Sequence, residues 1–137
     1  MPNTMSDHRI EEMLSGSPFQ QALGLELVAA DAECVELAMP FNAELERAPG
    51  TGQFHGGAIS SLIDIAGDFA LVKALGFGVP TINFRTDYLR PAFNTSLRAR
   101  ATVRHAGRTV GVVDVDVLDD DGRLVAVGRG TYRTKEG

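Results

Sequence analysis

The chain has 137 residues, 44% of them hydrophobic and 23% charged, with a net charge of −5, the proportions of an ordinary globular domain. A chain of this length buries roughly two thirds of the surface it exposes when unfolded, enough for a core without disulfide or metal staples. The acidic balance argues against a general nucleic-acid binder, the single cysteine, Cys34, forms neither an internal disulfide nor a Cys-based zinc site, and no run reaches the roughly 18 to 20 apolar residues of a membrane span.

Met1 to Ser6 is polar and is expected to fray, and the start from Met1 to Arg9 lacks a signal-peptide layout, so a soluble, cytoplasmic protein is expected. Asp7 reads as a helix cap before Ile10, Met13 and Leu14, an i, i+3, i+4 set ended by Gly16. Ser17-Pro18 starts a second short helix that Gly24 ends. Leu25 to Ala30 and Glu33 to Met39 alternate apolar with polar or small residues and suggest an antiparallel pair closed by Pro40. A loop from Asn42 to Phe54, with Pro49, Gly50 and Gly52, leads into His55-Gly56-Gly57.

Ala58 to Leu75 is the only long helical pattern. Ala58, Ile59, Leu62, Ile63, Ile65, Ala66, Phe69, Ala70 and Val72 fill about half of a helical wheel, while Ser60, Ser61, Asp64, Gly67 and Asp68 share a narrower stripe. Gly76 and Gly78 end it. The rest reads as strands over Thr81 to Leu89, Leu97 to Arg104, Thr109 to Leu118 and Arg123 to Arg133, with hairpin turns at Gly107 and Asp121-Gly122. With no repeat or linker, residues 1–137 read as one α+β domain in which a curved antiparallel sheet embraces a central helix and continues after it as a meander. Charge divides unevenly. Residues 1–80 hold three basic and eleven acidic side chains and 81–137 hold ten and seven, nine of the ten being arginine, so an anionic small ligand could find donors in the second half.

His55-Gly56-Gly57 opens the long helix, where amide N–H groups lack partners and the dipole end is positive. The glycines either make a tight loop-to-helix turn that His55 caps, or let a substrate carbonyl approach the backbone and receive an N–H bond as its oxygen gains charge. Asp64, mid-helix, is either a solvated surface charge or, since a helix gripped by a sheet has little free surface, a carboxylate facing a cleft or a partner subunit as base or nucleophile. No His/Cys/Asp set has metal-site spacing, and no nucleotide or nucleophile-elbow motif occurs.

The run Gln53-Phe54-His55-Gly56-Gly57-Ala58-Ile59-Ser60-Ser61-Leu62-Ile63-Asp64 resembles the signature of hotdog-fold acyl-CoA thioesterases of the PaaI-like, phenylacetic-acid-degradation group. Ser17-Pro18-Phe19, Leu23-Gly24-Leu25, Thr81, Asp87-Tyr88-Leu89-Arg90-Pro91, Gly107-Arg108, Asp121-Gly122 and Gly128-Arg129-Gly130-Thr131-Tyr132 match in order, from about Ser17 to Arg133. The resemblance implies a hotdog fold of five or six strands around the helix, a homodimer or homotetramer with active sites between subunits, and no cofactor beyond coenzyme A as part of the substrate. It also implies hydrolysis of an aryl- or medium-chain acyl-CoA, with Asp64 of one subunit attacking the thioester or activating water opposite the Gly56 N–H of the other. Thr81 would hold the carboxylate or water, and His55 would support the loop. Gly57, Gln53 and Phe54 would border the substrate, and Arg90, Arg108 and Arg129 are the candidates for the phosphates of coenzyme A. Phe54, Phe77 and Leu62 are candidates for the acyl pocket. Pro49 stands where relatives often carry Asn or Gln, with Gln53 a possible substitute. The competing readings are a hotdog enoyl-CoA hydratase or dehydratase and a non-catalytic acyl-CoA binding module.

Overall fold

The computed structural model describes residues 5–135. Of the start expected to fray, residues 1–4 lie outside the described residues. Met5 donates its N–H to the Lys73 carbonyl at 2.9 Å. Ser6, rather than Asp7, caps helix α1 (Asp7–Gly16) by accepting the Arg9 N–H, because a hydroxyl one residue earlier reaches the orphan amide at N3. Asp7 instead forms an ion pair with Lys73 at 2.9 Å.

Helix α2 (Pro18–Leu23) follows, with Ser17 as cap and Pro18 in the first turn. Strands β1 (Glu26–Ala30) and β2 (Cys34–Met39) pair antiparallel. Helix α3 (Gly56–Leu75) takes in both glycines of the loop junction, and Gly76 ends it with φ 87°, a conformation that suits a residue without Cβ. Strands β3 (Thr81–Tyr88), β4 (Leu97–Ala106), β5 (Val110–Leu118) and β6 (Leu124–Arg133) complete one sheet in the order β1-β2-β4-β5-β6-β3, all neighbours antiparallel.

The meander expected after the helix holds for β4, β5 and β6. β3 departs from it: it crosses to the far edge, where it pairs with β6 rather than β4. Period-two alternation marks a strand but says nothing of which neighbour it takes.

The concave face carries Leu37, Ala99, Val117 and Ala126 in one register row and Val35, Ala101, Val115 and Gly128 in the next. Apolar and small side chains there admit Leu62, Ile63, Ala66 and Leu71 of α3, all fully buried. Leu62, expected at an acyl pocket, is therefore core. Phe77 is half-buried against the same core. Gly67, grouped by periodicity with the polar stripe, is also buried. The fully buried Tyr132 lies over it and donates its hydroxyl to the Asp64 carbonyl at 2.9 Å.

The convex face answers the arginine excess. Arg98 and Arg100 reach Glu36 at 3.1 and 2.7 Å, and Arg129 grips Asp114 through two bonds of 2.6 and 3.0 Å. Arg104 adds to Asp114 at 3.4 Å. The Arg129 bonds hold the Asp114 carboxyl below the usual carboxylate range. Period-two alternation placed these arginines on one face, and the register supplied carboxylates between them.

A Cβ at residue 67 would overlap the Tyr132 hydroxyl. Gly67→Ala should therefore destabilise the fold by roughly 1–3 kcal/mol in chemical denaturation. The same substitution should cost less in a Tyr132→Phe background; equal costs would show that the hydroxyl is not the obstacle.

Candidate active site

The loop ahead of α3 folds back on itself and is tied to the β3–β4 connection. Arg47 donates its N–H to the Gln53 carbonyl at 2.8 Å, Phe54 to Ala92 at 3.0 Å and Asn94 to Gly52 at 2.9 Å, so three stretches of chain lie side by side at the helix mouth. The Glu46 carboxylate accepts the amides of Gly50 and Gly52 at 3.3 and 2.6 Å. Phe54 is buried beneath, edge-on to Phe41 with ring centroids 5.7 Å apart.

His55 caps α3. Its Nδ1 accepts the Gly57 N–H at 2.8 Å, which leaves the ring proton of the neutral imidazole on Nε2. Its carbonyl takes the Ala58 and Ile59 amides at 3.0 and 3.4 Å. The Gly56 N–H is left without an acceptor among the described residues, at the positive end of a 20-residue helix. Such an amide can donate to an oxygen that acquires charge.

Tyr88 of β3 secures this first turn. Its hydroxyl donates to the Gly56 carbonyl at 2.7 Å and lies 2.5 Å from Ser60 Oγ, which is 2.9 Å from Thr86 Oγ1. A Cβ at residue 56 would sit 3.2 Å from the Tyr88 ring, so glycine lets the tyrosine close on the turn. A cleft of about 650 Å³ opens here, and it brings together Gln53, Phe54, His55, Gly56, Gly57 and Arg90, all named from the sequence, with Arg47 and Tyr88, which sequence reasoning missed.

Asp64 lies elsewhere. It shares a cleft of about 280 Å³ with Asp68, Met13, Gln20 and Phe69. The Thr81 hydroxyl donates to Asp64 Oδ1 at 2.7 Å, which joins two residues 17 positions apart; among the described residues the second carboxylate oxygen has no hydrogen-bond partner. Eight residues separate Gly56 from Asp64, about 12 Å along a helix axis. One chain therefore holds the donor amide and the carboxylate on separate clefts.

Asp68 is the unusual acid of the pair. Burial, with the charge of Asp64 one turn away, pushes its carboxyl up to about 7.

Two arginines expected at the site lie away from it. Arg129 is committed to Asp114 on the convex face, because residues 128, 130 and 132 take the concave positions of β6 and turn residue 129 outward. Arg108 sits in the β4–β5 turn and does not line the cleft at Gly56. Among the described residues no three His, Cys, Asp or Glu side chains group as metal ligands would, and no helix is long and apolar enough to cross a membrane.

The family model of the thioesterase superfamily matches residues 51–126, from the loop before α3 into β6. A protein of Halobacterium salinarum is 40% identical over 116 residues, covering 77% of this chain and 76% of its own. The acyl-coenzyme A thioesterase PaaI of Escherichia coli is 32% identical over 111 residues, covering 80% of this chain and 77% of its own. Its solved structure superimposes with a TM-score of 0.84 over 95% of this chain and 92% of that one. The medium/long-chain acyl-CoA thioesterase YigI of Salmonella typhimurium is 30% identical over 132 residues, 84% of each chain.

A carboxyl raised from 3.8 to about 7 binds its proton more tightly in the folded than in the unfolded chain. Its contribution therefore lowers stability as pH rises from about 4 to about 7, and the loss is complete above that window. Asp68→Asn, which imitates the protonated acid, should melt close to the wild type at pH 4 and roughly 3 °C or more above it at pH 8. Parallel melting curves across that range would contradict the assignment.

Proposed function

The chain belongs to the thioesterase superfamily, and from that premise we propose that it hydrolyses an acyl-CoA thioester, aryl- or medium-chain, to the free acid and coenzyme A. The observation that carries this reading is the partnerless Gly56 amide at the mouth of a cleft large enough for a thioester and its pantetheine arm. The thioester oxygen accepts this amide and, as the carbonyl carbon is attacked, gains charge against the helix terminus.

The attacking group comes from a second copy of the chain. Asp64 of that copy, with one oxygen held by Thr81, attacks the carbonyl carbon directly or removes a proton from the water that does. The C–S bond then breaks and the thiolate leaves to take up a proton. A homodimer is supported by the edge strand β3, which has no strand beyond it and leaves Ile82, Phe84 and Tyr88 exposed. Pairing of such dimers into a homotetramer, a place in phenylacetic acid degradation and a cytoplasmic location belong to the same proposal. Gln53 is among the residues that line the cleft, and in this reading it takes over the orienting role that Pro49 cannot fill.

The hydratase alternative needs an acid and a histidine at one reaction centre. Here the His55 ring serves as the helix cap, its Nδ1 taken by the Gly57 amide, and the matching family model is that of the thioesterase superfamily. A pure binding module gives no account of the Thr81 bond that orients Asp64.

Purified protein should release thiol from an aryl- or medium-chain acyl-CoA and leave the enoyl absorbance of crotonyl-CoA unchanged. Asp64→Asn should lower kcat by about 10³-fold or more, and Thr81→Val by less, both with the wild-type circular dichroism spectrum. Full turnover by the Asp64 variant would remove that residue from the reaction.

A further inference from the structure

The large cleft has a charged rim that the hydrolytic reading does not use. Residues 1–80 hold three basic side chains among eleven acidic ones, and the described two besides Arg9 are Lys73 and Arg47. Lys73 is buried against Asp7. Arg47 is exposed at the cleft. Arg90, also exposed, lines the same cleft.

Arg85, Arg98, Arg100, Arg104, Arg123 and Arg129 each lie against a carboxylate. Among the described residues Arg9, Arg47, Arg90, Arg108 and Arg133 have no such partner, and of these Arg47 and Arg90 alone line this cleft. The acid next in sequence, Glu46, is turned to the Gly50 and Gly52 amides.

The backbone holds the two cations in a set relation. Arg47 donates its N–H to Gln53, whose neighbour Phe54 bonds Ala92, and Arg90 itself donates to the Val125 carbonyl at 3.2 Å. On the other flank of His55 and Gly57 lies a smaller groove with Phe19, Leu23 and Leu45, and its charged members are Glu44 and Glu46. Cations border one side of the helix terminus and anions the other, so a ligand with a multiply charged anionic end has one favourable orientation.

We propose that Arg47, together with Arg90, grips the phosphate groups of a phosphopantetheine thioester, making Arg47 a substrate-binding residue that selects the phosphorylated carrier. This rests on the hydrolytic reading for its ligand. A guanidinium offers a planar fork of donors to phosphate oxygens, and such bonds are charge-assisted.

The test presents one acyl group as the coenzyme A thioester and as the phosphate-free pantetheine thioester, to the wild type and to Arg47→Gln. The exposed position makes loss of the fold a minor concern, and melting curves of both proteins control for it. The variant should raise KM for the coenzyme A thioester about tenfold or more, as expected for one lost charge-assisted bond. Its kcat should stay within about twofold, and KM for the pantetheine thioester should not change. Equal effects on the two thioesters, or none, would overturn the proposal.

Calorimetry with coenzyme A as the probe reads the same contact without turnover. Binding at least tenfold weaker in Arg47→Gln supports the grip even if neither thioester is hydrolysed, an outcome that would defeat the hydrolytic reading alone. Equal affinities would defeat the grip. The difference should persist with 3′-dephospho-coenzyme A, which keeps the phosphates next to the pantetheine arm; its disappearance there would put Arg47 on the ribose phosphate and overturn the proposal.

Discussion

The rise of an α-helix governs the whole arrangement. Gly56 and Asp64 belong to one rigid helix, and at 1.5 Å per residue they stand about 12 Å apart along its axis. No loop movement can shorten that distance while α3 keeps its seat against β4, β5 and β6. The amide and the carboxylate of a single chain cannot meet at one carbonyl, so an active site that uses both must be assembled from two chains. The exposed apolar edge of β3 follows the same logic. Among the described residues nothing covers it.

The helix keeps its seat through close contacts rather than bulk alone. The sheet offers Ala99, Ala101, Ala126 and Gly128 where the axis passes, and Gly67 gives Tyr132 room to reach the Asp64 carbonyl. That bond fixes the backbone of the residue whose side chain Thr81 orients. Asp64 is thus held at its main chain by β6 and at its carboxylate by β3, the two strands that pair at the far edge of the sheet. This positioning is electrostatically costly for its neighbour. Asp68 shares the cleft, and its proton affinity rises because burial strips water from its carboxylate and, to a lesser extent, because the Asp64 charge repels it.

Much of this was legible in the residues. The apolar arc from Ala58 to Val72 announced the central helix, and period-two alternation announced β4 and β5. His55-Gly56-Gly57 marked the junction where the unpaired amide sits. What local pattern could not convey was partnership. Nothing in Thr81 to Tyr88 shows that it pairs with β6, and the register alone decides that Arg129 meets Asp114. Arg47 and Tyr88 were missed because they enter the cleft through contacts between segments distant in sequence. A clue to Arg47 was its rarity as a base in an acidic half, but rarity gives no direction in space. Asp7 was misread as a cap because Ser6 and Asp7 are both good capping residues and only the backbone chooses between them.

The Tyr88 bond to Gly56 joins two parts of the molecule that are usually described apart. The tyrosine stands on the outermost strand, and its hydroxyl steers the first peptide of the helix. A neighbour zipped along that border would stiffen the strand and, through it, the aim of the adjacent amide. Quaternary assembly and the tuning of the oxyanion donor would then be a single mechanical event, with one phenolic oxygen as the linkage.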